Sequence, residues 1–458
     1  MGNSAMGSER FALRSRRVVT PEGCDARTIV VSGGRIEALS AYDAAVDCPV
    51  RDAGDLVVLP GLVDTHVHVN DPDGPPRVGW EGFETATRAA AAGGITTLVD
   101  MPLNSTPVTT SVAALEKKRA SASGRIHVDV GFHGGLVHDN TSEINGLLDA
   151  GVLGIKAFLV HSGIDDFPAA GEAELRAVAP LLKKHGVALL AHAELDHIPP
   201  ASLPNEDPRS YARYLASRPA NWETSAIRLL LDIAKQSGVH VHVVHLATEE
   251  ALPDLIAARD YRVPVTVETC PHYLYFAAEE IADGATQFKC APPIREARTR
   301  AALWKALRSG DIDMIASDHS PCPPDLKRLD TGDFTKSWGG ISSLQLTLPI
   351  TWTAAMRFNP ATTFNNLAQW LSTFPAKLVG LQQKGAIVAG KDADFVLFDP
   401  DAAFTVEAES LHHRHKLTPY AGQTLRGVAV QTYLRGRIVH ERGQFPVQPA
   451  GQLLARAT

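Results

Sequence analysis

From about residue 57 to residue 320 the chain repeats one alternation: a short run of β-forming apolar residues, a turn, then a stretch whose apolar residues recur at helical spacing. Parallel strands cannot be joined by hairpins, so this texture demands a parallel sheet with crossover helices. Strand runs are expected at 57–69, 95–101, 127–136, 154–160, 188–195, 240–247, 265–273 and 312–320, with helical patterns such as 82–92, 172–184 and 223–236 between them. Eight such units predict an α/β chain closed into a (β/α)8 barrel of the TIM type, whose functional groups belong at the C-terminal ends of the strands.

The flanks read differently. Between Phe11 and Leu56 the runs are short and β-rich, and Arg27-Thr28-Ile29-Val30-Val31, the turn Ser32-Gly33-Gly34 and Arg35-Ile36-Glu37-Ala38-Leu39 spell a hairpin. Strand patterns return at 384–388, 393–398 and 428–439, the last with the turn Arg435-Gly436-Arg437. Both ends of the chain are therefore expected to build one small β-sandwich, residues 1–56 with 384–458, beside a barrel at 57–383. The basic, histidine-rich segment 412–416 falls outside the barrel strands and reads as a solvated loop or helix end.

Within the first barrel run, His66 and His68 lie two residues apart, so on a strand both imidazoles leave one face while Val67 leaves the other. A pair so placed can hold one zinc-like ion, and an isolated His-x-His is also the pattern of a merely structural pair. The remaining strands add to it. Strand four carries Lys156 inside the apolar run Ile155-Lys156-Ala157-Phe158, where a bare ammonium is costly to bury. A neutral amine in such a place can take up carbon dioxide as a carbamate, an anion able to bridge two cations; a snorkelling or salt-bridged lysine is the plainer alternative. Strands five and six end near His192 and His245, and strand eight near Asp318. Each alone fits a hydrogen-bonded core residue, but together they would crowd a barrel mouth with polar groups that metal ions neutralise.

These residues, with Trp80-Glu81-Gly82-Phe83-Glu84-Thr85, Asp100-Met101-Pro102-Leu103-Asn104-Ser105, Ser162-Gly163-Ile164-Asp165-Asp166-Phe167-Pro168, Lys289-Cys290-Ala291-Pro292-Pro293-Ile294-Arg295, Ser317-Asp318-His319-Ser320-Pro321-Cys322-Pro323-Pro324 and Trp338-Gly339-Gly340, make nearly the whole chain resemble the dinuclear-metal cyclic amidohydrolases. Within them the motifs are most similar to those of the allantoinase group. The resemblance implies a hydrolase that opens the hydantoin ring of allantoin to allantoate in purine degradation. It implies two divalent ions, zinc in the first instance with manganese, cobalt or iron as alternatives. His66, His68 and Asp318 would hold one ion, His192 and His245 the other, with a hydroxide and carbamylated Lys156 (N6-carboxylysine, made from CO2) bridging them. Asp318 would be the catalytic proton carrier. Ser162, Ala291, Gly339, Gly340 and His272 would face the substrate, and His242 would stand near the site without touching metal.

Departures from related groups narrow the expectation. His161 stands where hydantoinases carry a tyrosine thought to stabilise the oxyanion, and Asn70 where dihydroorotases carry a carboxylate-binding arginine. Ala291 replaces a frequent serine, and the loop 70–79 is longer than is common among allantoinases. A D-hydantoinase or dihydropyrimidinase is the alternative, and a non-catalytic, dihydropyrimidinase-related assembly protein a third reading that the intact ligand set disfavours. Composition agrees with a small-molecule enzyme: 51 acidic against 44 basic residues give a net charge of −7 without charge blocks, against nucleic acid or an anionic membrane as partner. Five scattered cysteines point to a reducing compartment. Residues 1–17 lack the apolar core of a secretory signal and 455–458 match no retention or peroxisomal tag, so the expected location is the cytoplasm. By resemblance the expected assembly is a homotetramer.

Overall fold

The computed structural model describes residues 10–197, 199–200 and 203–456; parts of the two terminal readings, at 1–9 and 457–458, lie outside them. The barrel strands run in chain order as Leu62–Val67, Ile95–Asp100, Asp129–Phe132 continuing as Gly134–Leu136, Ile155–Phe158, Leu189–His192, Val241–Val243, Val265–Thr269 and Met314–Ile315. All neighbouring pairs are parallel, for example Lys156 beside Leu190 and Leu190 beside His242. The ring closes where Val67 bridges to His319 and the His68 N–H donates to the His319 carbonyl at 2.8 Å. Asp64, pointing inward on the same face as His66, accepts from the His66 and Ser317 N–H groups at 3.1 and 3.2 Å and so staples strand one to strand eight.

The helices outside follow from their sequences. Glu172–His185 has Glu174 accepting the Gly171 N–H at 2.9 Å at its start, Leu175, Val178, Ala179 and Leu182 along one buried stripe, and Gly186 in the left-handed conformation just past its end. Phe83–Ala92 and Ala220–Ser237 correspond to two further expected helices. Among the described residues no helix is long and apolar enough to cross a membrane.

Strands from both chain ends form a second, mixed sheet in the order Arg437–Glu441, Thr424–Leu434, Phe395–Thr405, Val57–Pro60, Phe11–Thr20, Gly23–Ser32, Arg35–Ala41, with Val50–Asp52 also on Phe11–Thr20. It wraps a core of its own around Phe11, Leu13, Ile29, Val58, Phe395, Leu397 and Tyr433, the small sandwich beside the barrel. Three expectations are corrected. The run 57–69 is two strands, because at Gly61 the chain donates to Asp394 and passes from the small sheet into the barrel. Residues 384–388 form no strand: Lys384 instead anchors a loop by ion pairs to Asp129 (2.7 Å), Asp394 (2.8 Å) and Asp392 (3.0 Å). The segment 412–416 is a loop, but not a solvated one. His413 is fully buried beside His319, and the Arg414 N–H donates to Glu81.

Candidate metal centre

The strand ends surround a cavity of about 530 Å³ whose floor includes His66, His68, His192, His245 and Asp318. His66 and His68 have ring centroids 5.5 Å apart, His66 and His245 5.4 Å, and His192 and His245 4.6 Å. Donor atoms of His66, His245 and Asp318 lie within 4.8 Å of one another. Asp318 Oδ1 stands 3.2 Å from His66 Nε2 and 3.4 Å from His68 Nε2. Lys156 is fully buried in strand four, with Nζ 4.9 Å from the centre of the Phe158 ring, which stacks on His192.

The hydrogen bonds of these imidazoles decide which nitrogen is free. His66 Nδ1 donates to Glu268 at 2.5 Å, His68 Nδ1 to the Leu103 carbonyl at 2.9 Å, and His192 Nε2 to Glu194 at 2.6 Å. Acceptors that cannot donate fix the proton on those atoms, so His66 Nε2, His68 Nε2 and His192 Nδ1 carry lone pairs. His66 Nε2, His245 Nδ1 and Lys156 Nζ are buried without a hydrogen-bond partner. Unpaired polar atoms at this depth are expensive, and a shell of histidines oriented by carboxylates is how proteins hold zinc-like ions. The donor set therefore fits a pair of divalent cations with an anion on Lys156.

Electrostatics agrees. Burial lowers His66, His192 and His245, keeping them neutral as ligands must be. Burial also lowers Lys156 to about 8, only partly opposed by Asp318 and Glu268, which leaves an appreciable fraction of free amine near neutral pH. Burial alone would raise Asp318 and Glu194, but His66 and His68 hold Asp318 at about 2, and Arg218 and His192 hold Glu194 at about 2. Both stay carboxylates. His245 (φ 39°) and Asp318 (φ 45°) adopt left-handed backbone conformations unusual for such residues, a local cost that re-aims the chain just past a strand end.

Of the expected substrate-facing residues, Ser162, Ala291, Gly339 and Gly340 line the cavity. The Ser162 hydroxyl is engaged with the Phe167 carbonyl at 2.6 Å and shapes its own loop. Gly340 has φ 142° and leaves no room for a Cβ against the Ser320 carbonyl. His272 is fully buried and does not line the cavity; it sits behind Asp318. His242 is likewise buried, bonded to Glu268 at 3.0 Å and to Thr266 at 2.8 Å. His161 lines the rim. The long loop 70–79 is clamped by Arg77, which reaches the Asn104 carbonyl at 2.6 Å and Asp166 at 2.5 Å.

Sequence reasoning missed Glu268, Glu194, Arg218 and Asn104. Glu268 is the hub, taking His66, His242 and the His245 N–H; its signal was a carboxylate inside the apolar run Val265-Thr266-Val267-Glu268. Glu194 lies two residues past His192 and also pairs with Arg218, a cavity-lining side chain. Asn104 lines the cavity and donates to Asn70 Oδ1 at 3.2 Å, which leaves its amide oxygen available to a bound molecule.

A barrel with this donor set at its C-terminal mouth matches a family model described as the amidohydrolase family over residues 57–439. The chain belongs to the amidohydrolase family. It is similar to the allantoinase of Streptomyces avermitilis, with 50% identity over 453 residues covering 98% of this chain and 100% of the relative. The allantoinase of Arabidopsis thaliana is 45% identical, with coverages of 99% and 93%. Among solved structures, the L-hydantoinase (dihydropyrimidinase) from Arthrobacter aurescens superposes with a TM-score of 0.90 at 31% identity, covering 98% of this chain and 100% of that one.

Proposed function

We propose that this chain is an allantoinase, hydrolysing a ring amide C–N bond of allantoin to give allantoate. One observation carries the substrate assignment: identity with curated allantoinases of 50% and 45% over nearly the whole chain, against 31% to the hydantoinase of closely similar fold. Fold alone would not decide, since one barrel hosts many chemistries.

His66, His68 and Asp318 would hold one ion, His192 and His245 the other, and Lys156 as a carbamate would lie between them. The amine adds to CO2 and releases one proton, which requires the neutral form that burial favours. When bound, the ions lower the pKa of water toward neutrality and polarise the amide carbonyl. Asp318, on the cavity floor, takes the proton of the attacking water and returns it to the leaving ring nitrogen. Glu268 and Glu194 keep His66 and His192 in the tautomers that face the cavity. The ureido arm of allantoin, rich in donors and acceptors, meets Asn104, Ser320 and the backbone at Gly163 and Gly339. An apolar 5-substituent would leave those groups unpaired. Zinc as the ion, a homotetramer and a cytoplasmic location belong to the same reading.

The test is a panel of allantoin, 5-phenylhydantoin, dihydrouracil and dihydroorotate on protein of measured metal content. Allantoin should lead by at least about tenfold in kcat/KM, the factor that about 1.4 kcal/mol gives. A best rate on the phenyl compound or dihydrouracil moves the chain to the hydantoinase reading.

A further inference from the structure

Behind the cavity floor a second group of donors shares Asp318. One atom each of Cys270, His272 and Asp318 lie within 4.8 Å of one another. Cys270 directly follows the seventh barrel strand, His272 lies in the short helix Pro271–Tyr275, and Asp318 follows the eighth strand. Cys270 and His272 are both fully buried and neither lines the cavity. Both ring nitrogens of His272 lack a hydrogen-bond partner, although one of them lies within 4.8 Å of the thiol sulfur and of a carboxylate oxygen. A buried imidazole with both nitrogens unpaired is a group prepared for something the rest of the fold does not supply.

The chemistry of the three donors narrows what that is. Thiolate, imidazole and carboxylate together form the mixed set that zinc and its heavier congener cadmium accept, whereas magnesium and calcium take oxygen alone. The geometry points to a third cation site, formed by Cys270, His272 and Asp318 and selective for thiophilic divalent ions, whose filling withdraws Asp318 from the catalytic pair and shuts the enzyme down in excess zinc.

Around a four-coordinate zinc the donors stand roughly 3.5–4 Å apart, so the present group closes on an ion by side-chain rotations of about an ångström. Asp318 is the one member that reaches the cavity, so the ion enters past it. The thiol gives up its proton to solvent as the ion binds, while His272 binds as the neutral ring. Occupancy then ties the Asp318 carboxylate between two positive centres, where it can no longer accept a proton. The ion count does not depend on which ring is hydrolysed; only the loss of turnover rests on the role given to Asp318 above.

Holoenzyme filled at its first two sites is dialysed against rising free Cd²⁺, and in parallel Zn²⁺, with bound metal, ultraviolet absorbance and allantoin turnover read together. The expected result is a third equivalent that brings the thiolate-to-cadmium charge-transfer band and lowers turnover by about 10²-fold or more, the scale of a lost acid–base group. Mild chelation should restore the rate. Cys270→Ser and His272→Asn should each keep two ions yet lose the third equivalent, the cadmium band and the fall in turnover on adding cadmium or zinc, each variant being compared with its own rate before the addition. If one variant does not fold, the other carries the comparison. No third equivalent, a third equivalent without the thiolate band, or a band that survives Cys270→Ser overturns the site. A third ion with the band but with undiminished turnover overturns the withdrawal of Asp318.

Discussion

Replacing Lys156 by methionine should move two properties in opposite directions. The lysine is fully buried, its Nζ has no hydrogen-bond partner, and burial lowers it from 10.5 to about 8. Below pH 8 the metal-free fold must carry that charge with only partial compensation from Asp318 and Glu268, a net penalty of two and a half pK units at about 1.4 kcal/mol each, or about 3 kcal/mol. The sign follows from proton counting. The unfolded lysine holds its proton up to about 10.5 and the folded one only to about 8, so metal-free stability rises with pH between those values. Methionine fills a similar volume without charge and removes the penalty. At pH 7, metal-free Lys156→Met should melt higher than the metal-free parent by about 3 °C, the shift that about 3 kcal/mol gives a chain of this length. The same variant should bind no metal pair and show no turnover if Lys156 supplies the proposed bridging anion. Differential scanning calorimetry of stripped protein at pH 7 and pH 10, beside metal analysis, reads both. A lower melting temperature for the stripped variant, or retention of two ions, refutes the reasoning.

Asp318→Asn should cut kcat by about 10²–10⁴-fold if Asp318 carries the proton, and near-normal turnover in a folded variant would remove it from the mechanism. Glu268→Gln should weaken metal binding by about 10–100-fold in competition with a chelator, since His66 and His242 lose their charged acceptor. Reconstitution of stripped enzyme with zinc, at one dissolved CO2 concentration held constant across the pH series, should quicken about tenfold per pH unit below 8 and level off above it, following the free amine of Lys156 in stopped-time activity assays. A rate flat between pH 6 and pH 8 would exclude carbamate formation as the limiting step.

Several of the candidate ligand positions were legible because they obey a local rule. His66 and His68 share a face by strand periodicity, and Lys156 interrupts an apolar run without excuse. What failed was knowledge of partners. Residues 57–69 read as one strand because apolar alternation continues through Gly61, while the change of sheet is set by Asp394, far along the chain. Residues 384–388 alternate like a strand, yet Lys384 commits their backbone to a loop by pairing with three aspartates. His413 looked solvated among its basic neighbours, but the loop around it docks on Glu81 and beside His319, burying the ring. Glu268 and Glu194 carry no spacing signature, because a carboxylate that orients a histidine from a neighbouring strand is defined only once the barrel closes.

The small sheet also dictates a timetable. Val57–Pro60, the strand from which the His66 segment springs, is flanked on one side by Phe11–Thr20 and on the other by Phe395–Thr405, with Leu59 beside Val396. A nascent chain that has just emitted the eighth barrel strand and the turn after it already owns all six side chains proposed to hold metal, yet the root of its first barrel strand still has a bare edge and Lys384 has not arrived to pair with Asp129. Until the late strands dock, the exposed edge of Val57–Pro60 is open to pairing with other chains, the hazard of a growing polypeptide that must hold a seat for its own far end.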